Sequence, residues 1–399
     1  MNLLSKISST ILMSLYSMSS IAASDLFFDK LDGNLDASQY LSENAYGFLP
    51  VPIIITDPAF GGGLGMTGLF FQETEEEKNS RLAAMQDESN ENAVKNLLPP
   101  SITAAFGAYT GNGSYFGGGG HLGFYDQGRI RYKGGAGYGD IHLDFYGFGD
   151  IELPKAVEVN TQAYGVMQSL KFKLADSPFY AGVLQRYINA DLSAGNLDFL
   201  SGNVPSWFEE QLRSLLSTNT VTSGVGLSLE YDARDSYFSP TQGFKFELNY
   251  LWFDDIIGSD IDYTLTEFTA LNYFKFNEQW RTGLKIEANY ANSDKILPPY
   301  ATPSISLRGM PGSRYQGQAV AMSELEVAYR VNVRWELSVF AGVGKASDSF
   351  SEFSESHSRI SKGVGFRYLI ARRYNFNMGI DIAKGPEDTI FYIQSGSTW

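Results

Sequence analysis

The feature that most constrains this chain is a two-residue alternation of apolar and polar side chains, held over roughly the nine to eleven residues a tilted membrane strand needs. In Gly243 to Trp252, GFKFELNYLW, one face carries Phe244, Phe246, Leu248, Tyr250 and Trp252, and the other Lys245, Glu247, Asn249 and Leu251. WRTGLKIEANY sets Trp280, Leu284, Ile286 and Tyr290 against Arg281, Lys285, Glu287 and Asn289. RWELSVFAGV sets Trp335, Leu337 and Val339 against Arg334, Glu336 and Ser338, and YNFNMGIDI sets Tyr374, Phe376, Met378, Ile380 and Ile382 against Asn375, Asn377 and Asp381. Period two marks strands, and aromatics at the ends of the apolar face belong at two water interfaces. The polar face carries both signs of charge, as a crowded wet lumen would. A soluble sandwich would instead turn its polar face to bulk water and its apolar face to a packed core.

Composition agrees. The chain is rich in glycine (41), tyrosine (24) and phenylalanine (28), and no apolar stretch after its first two dozen residues is long enough for a membrane helix. The expected fold is therefore all-β, a transmembrane antiparallel barrel. With no cysteine, it must hold together by hydrogen bonding and packing. A net charge of −15 excludes nucleic acid as a partner and argues against a basic patch seeking anionic lipid. The opening MNLLSKISSTILMSLYSMSSIAASD has the order of a secretory signal peptide over residues 1–24, with cleavage near Ala23. Residues 25–59 then read as a short periplasmic segment and 60–399 as one barrel domain, with no linker dividing it.

Glycine, proline, aspartate and asparagine cluster at short turns near 111–113, 126–128, 139–140, 176–178, 240–243 and 277–279. Longer polar connections fall near 72–99, 149–155, 191–220, 254–260, 292–318, 345–358 and 384–388. With short turns on the periplasmic side and long loops outside, the barrel should have about 16 strands, an even number as closure requires. In PSWFEEQLRSLL, Ser206 and Glu209 read as a capping box, with Phe208, Leu212, Leu215 and Leu216 on one face of a short helix over the mouth. The acidic QETEEEKNSRLAAMQDESNEN is open to a helical or a disordered reading, and is read first as a solvated loop.

Against this background a family resemblance covers most of the chain after the signal. GLSLEYDARDSYFSPTQGFKFELNYLWF resembles the strand, periplasmic turn and strand of the BamA/TamA family of bacterial outer-membrane barrels (bacterial surface antigen superfamily), through Asp232, Arg234, Asp235, Pro240 and Gly243. SLRGMPGSRYQG resembles its arginine-glycine loop, SELEVAYR the glutamate-bearing strand that follows, and the tail KGVGFRYLIARRYNFNMGIDIAKGPEDTIFYIQSGSTW the end of short members. Larger members fold or translocate proteins through a barrel that can open laterally, fed by soluble POTRA domains. Too few residues precede the expected first strand near Gly61 for one domain of about 50 residues. The resemblance therefore implies a short form without POTRA domains.

The arginine-glycine loop raises its own physical question. A loop folded back into the lumen would place Arg308 where its planar fork can grip a wall carboxylate, with Gly309, Gly312 and Gly317 giving the backbone room. Glu324 and Glu326, two apart on one face of the next strand, are the expected acceptors and should face inward with Arg330. The family often supplies a second acceptor, an aspartate in the strand after; here that place holds Gly342. Trp399 ends the final strand in an aromatic, the form that barrel-assembly machinery reads, and is expected at an interface.

Catalytic chemistry finds little support. His121, His142 and His357 are the only histidines, and although His142 and Asp144 share a face of IHLDFY, no serine or second acid is fixed by spacing. GGGG before His121 lacks the lysine and helix of a phosphate loop. No metal-ligand spacing or cofactor motif is present, so the chain is read as a non-enzyme without cofactors. Two functions remain: transport, translocation or insertion of a polypeptide or lipid at the outer membrane, which the resemblance implies, or a porin-like channel or structural barrel. The partners implied are outer-membrane lipid, the barrel-assembly machinery and a polypeptide or lipid substrate.

Overall fold

The computed structural model describes residues 27–29, 32–38, 48–72, 74–86, 100–148, 151–195, 197–237, 239–372, 376–396 and 399; the expected signal peptide lies outside them. They form one antiparallel sheet of 16 strands in strict sequence order. The strands are β1 (Phe48–Ile55), β2 (Gly63–Gln72), β3 (Ser101–Thr110), β4 (Tyr115–Tyr125), β5 (Ile130–Phe148), β6 (Ile151–Lys173), β7 (Phe179–Ala194) and β8 (Asn219–Asp232). They continue with β9 (Gly243–Phe253), β10 (Tyr263–Lys275), β11 (Trp280–Asn292), β12 (Ala319–Arg330), β13 (Trp335–Ser347), β14 (Arg359–Ala371), β15 (Phe376–Lys384) and β16 (Thr389–Ser395). Two helices, α1 (Glu75–Gln86) and α2 (Ser206–Leu215), sit in connections. No helix among the described residues is long and apolar enough to cross a membrane, which is no bar to crossing by strands.

The alternation read from the sequence becomes an outer and an inner surface. Phe244, Phe246, Leu248, Tyr250 and Trp252 are exposed on β9, and Trp335, Leu337, Val339 and Val343 on β13, while Glu324, Glu326 and Asp381 are buried. Ion pairs between strands that are not neighbours, such as Arg131 on β5 with Glu230 on β8, can form only across the concave side. The apolar exposed surface is the lipid face and the charged buried one the lumen.

Several local expectations are corrected. The barrel begins at β1, Phe48–Ile55, inside the segment expected to be periplasmic, and Gly61 and Gly62 belong to the β1–β2 connection. Gly139 and Asp140 do not turn: Gly139 pairs with Phe116 and Ala163, and Asp140 with Tyr115 and Gln162, because β5 and β6 run far past a bilayer's span. Connections after even-numbered strands share a side with both termini, and most are short, which makes that side periplasmic. The long 73–100 connection is on it, and the tight 111–114 turn is on the outer side. That connection carries α1 rather than a bare loop, and its capping box is the reciprocal Thr74–Glu77 pair, at 2.8 and 3.2 Å. The box expected at Ser206 is absent: Pro205 stands at that N-cap without a side-chain bond, and Glu209 instead accepts from Ser201 and Arg213.

Over the β5 to β11 side, the outer mouth is covered by packing. Phe208, Leu212, Leu215 and Leu216 of the α2 region bury against Leu192, Leu251, Phe253, Tyr263, Leu265 and Leu297, and the tall β5–β6 hairpin adds Phe145, Val157 and Val159. The helical face read from the sequence is thus a lid on the outer ends of β6 to β11.

At the periplasmic rim, residues 27–29 and 32–36 form a small hairpin through the antiparallel bridge between Phe28 and Leu35. Its acids meet Arg334 in the β12–β13 turn: Asp29, Asp32 and Asp36 lie 2.7, 2.6 and 2.6 Å from the guanidinium, and Arg372 reaches Asp29 at 2.6 Å. Arg334, expected on the lumen face of β13, is therefore a rim residue. Its hydrogen bond holds the Asp32 carboxyl down to about 2, from an ordinary 3.8. A depressed carboxyl stabilises the docked hairpin fully above its ordinary value and loses that contribution as pH falls through the folded one. Acidification from 3.8 to about 2 should therefore expose the hairpin to an acid-active protease while the barrel keeps its anomalous gel migration. Cleavage unchanged across that window would contradict the clamp.

Candidate lumen site and barrel seam

The connection between β11 and β12, residues 293–318, folds back into the barrel from the outer side. A bridge between Ser304 and Gln316 and the Ile305 N to Tyr315 O bond at 3.0 Å pinch it into a narrow finger. Ile305, Leu307 and Met310 pack on Val320 and Met322 of β12. Leu307 lies against Gly342, where an added Cβ would come 2.9 Å from it. The finger tip turns through Gly309 at φ +90°, a left-handed backbone favouring glycine, and an added Cβ there would lie 2.9 Å from the Gly385 nitrogen.

These apolar contacts deliver Arg308 to a wall of acids. Its Nε donates to Glu324 at 3.0 Å and its Nη1 to Glu326 at 3.0 Å and to Asp381 at 2.7 Å. The guanidinium carbon lies 3.4 Å from the centre of the Phe340 ring, so the fork is stacked as well as bonded. Arg308 is 8% exposed, Glu324 and Glu326 2%, and Asp381 0%. Arg367 holds Asp381 from the other side through a fork of 2.5 and 2.9 Å. Arg281 grips Glu336 bidentately, one arm at 2.9 Å, and lies 3.5 Å from Glu326. Asp381, from β15, is an acceptor that sequence reasoning missed; Gly342, in the expected acceptor's place, makes room for Leu307.

The same finger spans the ends of the sheet. Among the described residues no backbone ladder joins β1 to β16. They meet where Thr56 Oγ1 donates to the Phe391 carbonyl. The Gly309 amide donates to Tyr392 on β16 at 2.8 Å, and the Gly312 amide to Asp57 after β1 at 3.1 Å. Tyr315 bonds Glu387 in the β15–β16 connection.

The sequence of residues 156–399, more than half of the chain, matches the Omp85 superfamily domain. This chain belongs to the Omp85 superfamily. Among solved structures it is similar to BamA from Haemophilus ducreyi lacking POTRA domains 1–3, with a TM-score of 0.55 and 15% identity over 87% of this chain and 69% of that one. CdiB from Acinetobacter baumannii and CdiB from Escherichia coli each give a TM-score of 0.53 and 10% identity over 87% of this chain, which spans 59% and 62% of theirs. At these identities the likeness is one of fold. No curated protein matches the sequence significantly.

The other expected site residues of this Omp85 barrel separate into two places. Asp232 accepts from Arg234 at 2.8 and 3.1 Å and from Arg131 at 3.0 Å, while Asp235 folds the periplasmic turn by accepting from Thr241 N and Gln242 N at 2.8 and 3.2 Å. Pro240 is buried in that turn. Gly243 closes it at φ +106°, where a Cβ would lie 2.2 Å from the Ala233 oxygen. Behind the turn, Lys171 reaches Glu230 at 2.6 Å and Glu247 at 2.7 Å, and Lys245 reaches Glu247 at 2.7 Å.

Trp399 is not at an interface. β16 ends at Ser395, Gly396 turns at φ +76°, and the indole lies inside the barrel, its Nε1 donating to Glu324 at 2.8 Å. It rests on β11, where a Cβ on Gly283 would come 2.5 Å from the ring. A buried carboxylate short of donors outweighs the indole's preference for an interface. Of the histidines, His121 bonds Thr103 and Tyr125 at 2.8 and 2.7 Å, and His142 lies 4.0 Å from Asp140 rather than sharing a bond with Asp144.

Removing the central cation should be costly. Arg308→Ala leaves three buried carboxylates short of a partner, a loss of about 3 to 5 kcal/mol, read as a lower temperature for the gel-mobility shift. Arg308→Lys should recover only part, since a point charge cannot replace the fork. Arg314→Ala, whose ion pair to Glu387 is 3.6 Å, should change little. Equal melting of all three variants would refute the role assigned to Arg308.

Proposed function

We propose that this Omp85 barrel works in the Gram-negative outer membrane, after export through its signal peptide, by parting β1 from β16. The exposed strand edges would serve an incoming polypeptide or lipid. The observation that carries this reading is the seam itself. β1 contains Pro50 and Pro52, both paired with β2, at Gly68 and Met66. Proline has no N–H, and on an edge strand its nitrogen faces away from the ladder. The missing donors therefore fall on the side facing β16, and a continuous ladder across the seam cannot form. An unpaired edge in hydrocarbon is costly and is also a template for an added strand. The family resemblance supports the same role, since larger members fold or translocate proteins through a laterally opening barrel.

The finger and the α2 lid occupy the lumen and mouth, which favours a seam route over a steady aqueous pore. The final strand is then read by the assembly machinery during biogenesis, before Trp399 reaches its place beside Glu324. Deleting Trp399 should lower the amount of assembled barrel without changing export.

The chain has no cysteine, so a cleavable thiol crosslink between Thr56→Cys and Phe391→Cys would pin the seam alone. In lipid vesicles, the crosslinked protein should lose its acceleration of the insertion of an unfolded small β-barrel, and cleavage of the link should restore it. Pro50→Val with Pro52→Val should act in the same direction. The variant should melt higher by about 0.5 to 1.5 kcal/mol for each ladder bond regained and work more slowly. Unchanged insertion by the crosslinked protein, with a large, steady, ion-selective conductance in a planar bilayer, would overturn the proposal in favour of a channel.

A further inference from the structure

The rim hairpin formed by residues 27–29 and 32–36 has two unlike faces. Its backbone is paired with itself, Asp29 N to Asn34 O at 2.9 Å and Asp36 N to Phe27 O at 2.8 Å, around a turn in which Gly33 has φ +67°. In such a pair, directly opposed residues share a face. Asp29 and Asp36 lie on the face bonded to Arg334 and Arg372, whose two positive charges largely offset the three aspartates. The bridged pair Phe28 and Leu35 lies on the other face, each 46% exposed.

Position identifies what could cover that apolar face. The Tyr368 hydroxyl donates to the Leu35 carbonyl at 2.8 Å, and the Ala37 amide bonds the Ile370 carbonyl at 2.6 Å. Tyr368 packs edge-on against Trp335, with ring centres 4.9 Å apart, and Trp335 also neighbours Phe366 at 5.9 Å. Trp335 opens β13 on the lipid face, where an aromatic girdle meets the headgroups. The β12–β13 turn that carries Arg334 also exposes Val331 and Val333. The hairpin is thus continuous with the lipid-facing belt at its periplasmic edge.

We propose that this hairpin is a membrane-interface foot: its Phe28 and Leu35 face rests in the periplasmic leaflet, held there by the clamp of its acids on Arg334 and Arg372. The clamp keeps a segment rich in aspartate at a lipid surface by giving each carboxylate an arginine contact, while the ring and aliphatic side chain enter the apolar boundary. A membrane is favoured over a protein partner because the hairpin adjoins the lipid-facing belt directly, through Tyr368 and Trp335.

The test uses the full chain, in which any introduced cysteine is the only one. Phe28→Cys, Leu35→Cys and Asn34→Cys would each be labelled with an environment-sensitive dye and reconstituted in phosphatidylethanolamine and phosphatidylglycerol vesicles containing lipids with a shallow spin label. Labels at 28 and 35 should be quenched several-fold more than the label at 34 and be shielded from aqueous iodide. Arg334→Gln, where it folds, should abolish the difference; Arg372→Gln is the milder second variant. Equal quenching and equal iodide access at all three positions would overturn the proposal. Shielding at 28 and 35 in native membranes but not in vesicles would also overturn it, in favour of a protein partner.

Discussion

One guanidinium in this barrel answers three carboxylates, and the wall around it is tenable only while that guanidinium is in place. Glu324 and Glu326 come from β12 and Asp381 from β15, all nearly inaccessible to water. Arg367 grips Asp381 with a two-armed fork, and Arg281 grips Glu336 while lying 3.5 Å from Glu326. The cation that reaches Glu324, Glu326 and Asp381 together comes from a loop, not from the wall. Because that loop also bonds Tyr392 on one side of the seam and Asp57 on the other, the electrostatics of the lumen and the closure of the barrel are one problem.

The two halves of the wall solve this problem differently. Arg131, Lys171, Glu230, Asp232, Lys245 and Glu247 all sit on strands β5 to β9 and neutralise one another without help from a long loop. That half is also roofed by the apolar lid of α2. The half from β11 round to β1 depends on the inserted finger. A force that parts the sheet would find the self-sufficient half stiff and the finger-dependent half compliant, and the seam lies in the latter.

Much of this was legible in the sequence because a strand's period is local. The inward acids of β12 and the outward aromatics of β9 and β13 follow from alternation alone, and the strand count survived errors in individual turns. What was not legible depends on register between distant segments. Asp381 is visible in the sequence as an inward residue, but its pairing with Arg308 rests on the finger tip packing against the end of β15, which no local pattern encodes. Trp399 was placed at an interface because aromatic ends of strands usually sit there; its actual site is set by Glu324, far away in the chain. Gly139 misled because glycine punctuates turns as well as the crowded interior of a strand. The Ser206 box fails because Pro205 already occupies the cap, and the real box at Thr74 lies in a segment whose acidity suits a solvated loop as well as a helix, in whose first turn acids are favourable.

The seam shows how a local chemical fact becomes a property of the whole barrel. A closed barrel normally removes its edges by pairing the first strand with the last. Pro50 and Pro52 deny a continuous ladder here, since two of the donors it would need are missing from the middle of β1. Closure must then come from contacts that are not part of a ladder: Thr56 to the Phe391 carbonyl, and the two amides of the finger. Ladder bonds reinforce one another along a strand, but these few contacts converge at the outer end and hang on the seating of Arg308. A ligand or membrane strain that unseats Arg308 would therefore loosen lumen and seam together, whereas one acting on the strand edges alone would still meet the finger's hold. That coupling makes the arginine-glycine loop a latch on the proposed reading, and it explains why a fingertip arginine that costs so much to bury is kept inside the barrel.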